Sequence, residues 1–308
     1  MASKLEEFKE DCRLRGMSHG SILSYLSALR IYMDFISRKG KDLLAADKTT
    51  LKGYIDYLLN ERGLTYRTLE YHFSSLSAFY EWLVFDEEIA VNPVLSVRKR
   101  YLKRYKNGEG LTEGSRKLIS VNEMAMLVGS IVSARDRAIV MLLAKTGVRR
   151  GELIRIDLPD INFERMSIRL KPTAKRTNRM VFFDEETKRA LLDWIRMRKA
   201  FAEKDNPALF ITESGRRTDK NDVYETVIEH ATRVGLHDPK STRLEDHFTP
   251  HCCRHWFTTH LRRSGMPREH IQELRGDSRP EAIDIYYHID PEDLRKSYLA
   301  HIPRLGVT

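Results

Sequence analysis

A cluster of cations divides this chain into two parts with different sequence patterns. Six of the nine residues at 98–106 are basic, and two tyrosines lie among them. The cations are Arg98, Lys99, Arg100, Lys103, Arg104 and Lys106. Glycines and polar residues follow, with few apolar residues before 120. Because a chain of 308 residues is long enough for two domains, we interpret 96–119 as a basic linker between a first domain at 1–95 and a second at 120–308.

The first 95 residues have a sequence pattern typical of helices only. Apolar residues recur at spacings of three and four, which place them on one face of a helix. The clearest series is Ile22, Leu26, Leu29, Met33 and Ile36. A shorter helix is predicted around Phe8, and Thr49 and Thr65 are candidate caps of two more. Pro93 is expected to end this region, so the pattern predicts a four-helix domain.

Residues 120–308 have a mixed pattern. Helical periodicity is found at 124–143, 185–201, 222–234 and 251–264, and a tail helix is predicted within 290–308. Short strand-type runs occur at 166–170 and 179–183, with a basic turn between them, and 209–212 could add an edge strand. The predicted fold class is therefore mainly α with a small β-sheet.

Composition narrows the function classes. There are 53 Lys and Arg against 44 Asp and Glu, a formal charge of +9, which favours a polyanionic partner such as nucleic acid. No run of about 18 apolar residues is present, so no membrane span or membrane partner is expected. Two of the three cysteines, Cys252 and Cys253, are adjacent, a poor arrangement for a disulfide. We therefore expect a cytoplasmic protein.

Two segments rich in cations could bind phosphate. In the first, T-G-V-R-R-G-E-L at 146–153, an apolar helix ends at Gly147, and two arginines, Arg149 and Arg150, emerge at a turn before the next helix. The guanidinium fork suits bidentate phosphate binding, although surface arginines after a helix-ending glycine are the commoner reason for such a pattern. The second segment is the basic turn at 171–179, which could equally be a solvated loop.

Two further segments carry titratable side chains. His251, Arg254 and His255 share one face of a predicted helix. The two histidines resemble a zinc pair, but the glutamate of the metalloprotease motif is missing and no second ligand pair is evident, so no metal is expected. The other segment contains Asp277 in G-D-S and a tyrosine pair at 286–287. No phosphate-binding loop or dinucleotide fingerprint occurs, so no cofactor is expected.

Taken in order, these segments resemble the tyrosine recombinase family of phage-integrase and Xer type, over nearly the whole chain. The resemblance implies an N-terminal core-binding domain and a C-terminal α+β catalytic domain, which clamp double-stranded DNA. It also implies DNA-binding cations in the linker and on the basic turn. These are Arg98, Lys99, Arg100, Lys103, Arg104, Lys106, Lys171, Arg176 and Arg179.

The resemblance also assigns catalytic positions. The matching residues are Arg149, Lys175, His251, Arg254, Asp277 and Tyr286, with Glu152 as a supporting acid. Lys171 is the alternative to Lys175, and Tyr287 is the second choice for the nucleophile. Asp277 departs from the family, which commonly has histidine or tryptophan nine residues before the nucleophile. A carboxylate there would repel a phosphate unless a neighbouring group engages it.

The function implied by the resemblance is site-specific DNA recombination or integration. Tyr286 would form a 3′-phosphotyrosyl intermediate without metal or ATP, in a tetramer on paired DNA sites, associated with the nucleoid. The tail at 290–308 could pack on its own domain or dock on a neighbouring protomer. Two alternatives remain open: a catalytically silent DNA-binding relative, favoured by Asp277, and a type IB topoisomerase-like enzyme that relaxes DNA. A metal-dependent hydrolase built on His251 and His255 is a more distant one.

Overall fold

A computed structural model describes residues 2–102, 117–172, 180–203, 206–276 and 289–307. The chain divides into two compact units, Met1–Thr112 and Glu113–Thr308. The prediction of a mainly helical chain with a small β-sheet is confirmed. Among the described helices, none is both long enough and apolar enough to cross a membrane.

The first unit is built from helices. They are α1 (Ala2–Leu14), α2 (His19–Arg38), α3 (Lys48–Asp56), α4 (Tyr66–Phe85) and α5 (Pro93–Val97), with π-helical turns at Tyr57–Glu61 and Arg98–Leu102. Thr65 caps α4 as predicted. The prediction that Thr49 caps α3 is wrong, because Asp47 accepts the hydrogen bond from the Thr50 backbone N–H at 2.7 Å.

Pro93 was expected to end the first domain but instead begins α5. Proline is tolerated in the first turn of a helix, where its missing N–H has no partner to lose, and Asn92 caps the helix through the Val94 N–H at 3.0 Å. Val97 and Leu102 lie in the same core as the four preceding helices. The structure thus differs from the predicted boundary, since the start of the 96–119 segment is helical and packed on the first unit.

The second unit combines helices with one small antiparallel sheet. Its helices are α6 (Val121–Gly129), α7 (Ala134–Thr146), α8 (Arg150–Leu153), α9 (Glu185–Arg198), α10 (Lys220–Arg233), α11 (Pro250–Arg263), α12 (Arg268–Arg275) and α13 (Pro291–His301). The strands are β1 (Ile161–Asn162), β2 (Ser167–Arg169) and β3 (Met180–Phe182), in the order β1-β2-β3. Ile168 of β2 pairs with Ile161 of β1 and Val181 of β3.

Two sequence predictions for this unit are wrong in detail. The helical stretch at 124–143 is two helices, because Ser130 follows the end of α6 and Ser133 caps α7. The edge strand predicted at 209–212 is replaced by isolated bridges, between Asp157 and Ala208 and between Ile211 and Arg217. β1 was not predicted, since two residues are too few for an alternating pattern.

The C-terminal tail packs on its own unit. Tyr298 of α13 is fully buried and donates a hydrogen bond to the Lys145 carbonyl at 3.0 Å. The buried Lys145 ammonium in turn binds Asp184, Glu186 and the Pro303 carbonyl, each at 2.6 Å. Burial alone would raise the pKa of Glu186, but N–H donors from the tail and Lys145 lower the pKa overall. The tail is therefore tied to α7, the helix that leads to Arg149.

Candidate functional site: a cation-lined cavity on the second unit

The turn between α7 and α8 fixes the backbone beside Arg149. α7 ends at Gly147, whose φ of +62° lies in the left-handed region that favours glycine. A Cβ at this position would stand only 2.5 Å from Cδ1 of Phe257 on α11. The glycine is thus required twice, once by its backbone conformation and once by the close approach of α11.

Arg149 is held by the acid three residues after it. The Arg149 backbone N–H donates to Glu152 Oε2 at 2.8 Å, and its guanidinium Nη1 donates to Glu152 Oε1 at 3.0 Å. The Glu152 side chain is 3% exposed, whereas that of Arg149 is 34% exposed. The buried carboxylate therefore anchors an arginine whose outer part reaches the surface.

α11 supplies two more of the predicted residues. The helix begins at Pro250, with His251 in its first turn and Arg254 one turn later. His251 and Arg254 therefore lie on the same face of α11. His251 is exposed, while Arg254 is buried. The Arg254 guanidinium donates to the Gly147 carbonyl at 2.5 Å and to the Arg275 carbonyl at 2.9 Å. These two bonds fix the plane of the guanidinium against the end of α7.

These side chains meet at one cavity of about 560 Å³. Its lining includes four of the residues predicted from the sequence: Arg149, Glu152, His251 and Arg254. Arg150, from the segment at 146–153 already noted in the sequence, also lines it. Two further lining cations, Arg155 and Lys220, were not singled out by sequence reasoning. Arg150 lies 5.2 Å from the Tyr224 ring and donates to the Lys220 carbonyl at 3.1 Å, so it joins the first turn of α10 to α8. The sequence alone could not identify Lys220 as a cavity residue, because it reaches the cavity only through the packing of α10 beside α8.

Lys171 is not among the residues that line this cavity. Its ammonium binds the Asp157 carboxylate, which also accepts a hydrogen bond from Arg217 at 2.6 Å. Burial alone would raise the pKa of Asp157, but these two cations lower the pKa overall. Lys171 is thus engaged in an ion pair at the end of β2.

Several predicted residues lie outside the described ranges. They are Lys103, Arg104, Lys106, Lys175, Arg176, Arg179, Asp277, Tyr286 and Tyr287. Arg98, Lys99 and Arg100 belong to the π-helical turn of the first unit, where Arg98 donates to Ser74 Oγ at 3.0 Å. Within the described ranges, no group of three or more His, Cys, Asp or Glu side chains is arranged to hold a metal ion.

Each of the two parts of the chain matches a known protein family. The phage integrase family matches residues 117–293, and the N-terminal SAM-like domain of phage integrases matches residues 5–89. The chain belongs to the phage integrase family. The resemblance to tyrosine recombinases predicted from the sequence is therefore confirmed. The tyrosine recombinase XerC of Escherichia coli O127:H6 (strain E2348/69) is 24% identical over 290 residues, 94% of this chain and 92% of XerC.

Two solved integrase structures have a similar fold. The Tn1549 transposon integrase in complex with transposon right end DNA is 21% identical, with a TM-score of 0.69 over 96% of this chain and 98% of that chain. A lambda integrase dimer bound to a COC′ core site is 14% identical, with a TM-score of 0.68 over 94% of this chain and 99% of that chain.

Proposed function

We propose that this phage integrase family member is a site-specific recombinase that breaks and rejoins DNA strands through a phosphotyrosyl intermediate. The observation that carries the proposal is the meeting of Arg149, His251 and Arg254 at one cavity. Three nitrogen-bearing side chains that line one cavity suit a phosphate, because the developing charge on its oxygens needs fixed donors.

In the proposed reaction, the Tyr286 oxygen attacks a scissile phosphate and forms the new P–O bond. The tyrosine hydroxyl is mostly neutral at pH 7 and must lose its proton, and His251 is the proposed acceptor. Arg149 and Arg254 hold the non-bridging oxygens. The bond to the 5′-oxygen breaks, and this oxygen takes a proton from Lys175. The phosphotyrosyl ester conserves the bond energy, so rejoining needs no nucleotide.

Two contacts support this division of roles. The carboxylate of Glu152 orients Arg149, whose side chain is 34% exposed and lines the cavity. The ion pair of Lys171 with Asp157 favours Lys175 as the lysine that protonates the leaving oxygen. Asp277 has no assigned role in this scheme.

The proposal is tested with nicked duplexes that trap the cleaved strand. Fragments flanking the gene in its own genome supply the DNA, and the readout is an SDS-resistant, protease-sensitive adduct. We expect the wild type and Tyr287→Phe to form adducts, and Tyr286→Phe to bind DNA without forming them. Adducts from Tyr286→Phe would contradict the assignment of the nucleophile.

The same assay separates the catalytically silent alternative. If the wild type binds DNA in a salt-sensitive way but forms no adduct on a genuine target, the chain is a DNA-binding relative without the reaction. Recovery of adducts by Asp277→His would then place the defect at that position.

The proposed partner is double-stranded DNA, and the proposed assembly is a tetramer on two paired sites. This assembly requires contacts between protomers, which can be tested by measuring the mass in solution with and without DNA. A species of four chains should form only when duplexes carrying the target are present. A single chain on each duplex at all concentrations would contradict the tetramer.

A further inference from the structure

One lysine of α7 is buried within an otherwise apolar part of the helix. Residues 138–146 are all buried, and Lys145 is the one charged residue among them. We propose that Lys145 is a positioning residue for the reaction: its ammonium fixes the end of α7, and with it the guanidinium groups of Arg149 and Arg254. The inference rests on the proposed function, and it adds a residue that is too deeply buried to contact DNA itself.

The ammonium of Lys145 is held by three acceptors. It donates to Asp184 Oδ2, Glu186 Oε2 and the Pro303 carbonyl, each at 2.6 Å. An ammonium has three N–H donors, so these acceptors use all of them. Asp184 caps α9, Glu186 belongs to the first turn of the same helix, and Pro303 follows α13. The end of α7 is therefore tied at one point to two other elements of the second unit.

Further hydrogen bonds fix the two carboxylates. Asp184 Oδ1 accepts from the Thr187 backbone N–H at 2.9 Å and from its Oγ1 at 2.7 Å. Glu186 accepts from the backbone N–H groups of Leu305 and Gly306, at 3.0 and 2.6 Å. A buried ion pair is a poor source of stability, because the desolvation of the charges offsets their attraction. What this cluster adds over an apolar side chain is a defined position for the last turn of α7.

The last turn of α7 contacts one guanidinium and leads directly to the other. Gly147, two residues after Lys145, accepts from Arg254 through its carbonyl at 2.5 Å. Arg149 follows two residues later, before any other helix begins. The Lys145 carbonyl itself accepts from the Tyr298 hydroxyl at 3.0 Å. A shift of this turn would displace both guanidinium groups, and a misplacement of about 1 Å can lower a reaction rate by about 100-fold.

The first test removes the ionic contact at Asp184. Asp184→Asn keeps an oxygen that can cap α9 but loses the charge that faces Lys145. The matched control is Asp47→Asn, because Asp47 accepts from the N–H and Oγ1 of Thr50 as Asp184 does from Thr187. At a temperature where both variants are folded, we expect the single-turnover rate of adduct formation at saturating DNA to fall on the order of tenfold in Asp184→Asn only. The DNA concentration that gives half of the maximal rate should stay within about twofold of wild type.

A second variant separates positioning from packing. Lys145→Met/Glu186→Gln removes one charge of each sign, so the net charge of the cluster is unchanged. Because apolar replacements of buried ion pairs are often neutral for stability, we expect denaturant unfolding close to that of the wild type but an adduct rate lowered as in Asp184→Asn. A wild-type rate in the folded double variant would show that Lys145 only packs, and would overturn the proposal. Equal rates for Asp184→Asn and Asp47→Asn would also overturn it.

Hydrogen exchange separates a failure of this inference from a failure of the proposed function. It reports on the opening of the backbone at 147–149 without DNA and without any adduct. We expect exchange at these amides to be faster in Asp184→Asn than in the wild type, and unchanged in Asp47→Asn. Equal exchange in the two variants would overturn the placement of this turn by Lys145. Faster exchange in Asp184→Asn, together with a wild type that forms no adduct, would support the placement and contradict only the proposed function.

Discussion

Arg254 and Arg100 present a guanidinium in two different ways. Arg254 is 5% exposed, and two backbone carbonyls, those of Gly147 and Arg275, fix its plane. Arg100 is exposed and lies 5.9 Å from an aromatic ring, with no ion pair to any described acid. The first arrangement fixes the direction of the donors, whereas the second mainly supplies positive charge.

The difference predicts different kinds of contribution. A guanidinium that is already oriented and shielded from water can stabilise charge that develops during a reaction without reorganising. An exposed cation attracts phosphate at longer range, and its effect is weakened by salt. Variants at the cavity lined by Arg149 and Arg254 should therefore change reaction rates, whereas variants at exposed cations such as Arg100 should change DNA affinity and its salt dependence.

The largest effect is expected from Arg254→Lys. Lysine keeps the positive charge but has no planar fork to reach both carbonyls. We expect the rate of adduct formation at saturating DNA to fall on the order of 10²–10³-fold, with DNA affinity changed by only a few-fold. Single-turnover assays on nicked duplexes measure the rate. Arg262→Lys, an exposed position on the same helix, is the control, and equal rates for the two variants would contradict the role of Arg254.

Gly147→Ala should break the same arrangement through the backbone. The new Cβ would combine a left-handed φ with a contact of 2.5 Å to Phe257, and we expect a loss of about 2–4 kcal/mol in the free energy of unfolding. Gly235→Ala separates the two causes, because φ there is +73° and nothing lies within 4 Å of the added carbon. Denaturant unfolding of both variants gives the comparison. A loss no larger at Gly147 than at Gly235 would show that α11 adjusts without cost.

The sequence predicted more of the cavity lined by Arg149 and Arg254 than of a smaller cavity on the first unit, which is lined by Lys48 and Arg100 among others. The reason is physical. Arg149 with Glu152, and His251 with Arg254, are close in sequence, so each pair has a local pattern that could be recognised. Lys48 and Arg100 are 52 residues apart and meet only because α5 and its following turn pack beside α3. The same holds for Lys220, which reaches the cavity of Arg149 and Arg254 only because α10 packs beside α8.

The helix boundaries show the same limit. The apolar periodicity of α2 was enough to predict the helix, because eight buried positions repeat along it. The cap of α3 was placed two residues too late, since Asp47 and Thr49 are both good capping residues and only the observed bond to Thr50 distinguishes them. β1 and the bridge at Ile211 depend on partners distant in sequence, which no local pattern reports.

Lys220→Gln should give the smallest effect on the adduct rate. This variant tests whether Lys220 contacts the reacting phosphate or a neighbouring one. It is exposed like Arg100, yet it lines the cavity that contains Arg149 and Arg254. Its neighbours Asp219 and Asp222 are paired with Arg216. We therefore expect Lys220 to contact a phosphate beside the reacting one.

In Lys220→Gln, the slope of log DNA affinity against log salt should fall by about 0.9, while the adduct rate at saturating DNA stays within about threefold of wild type. Lys199→Gln, an exposed lysine after α9, is the matched control. If the adduct rate instead falls as far as in Arg254→Lys, Lys220 acts on the reacting phosphate itself. The exposure of a cation would then not predict whether it sets the reaction rate or only positions the DNA.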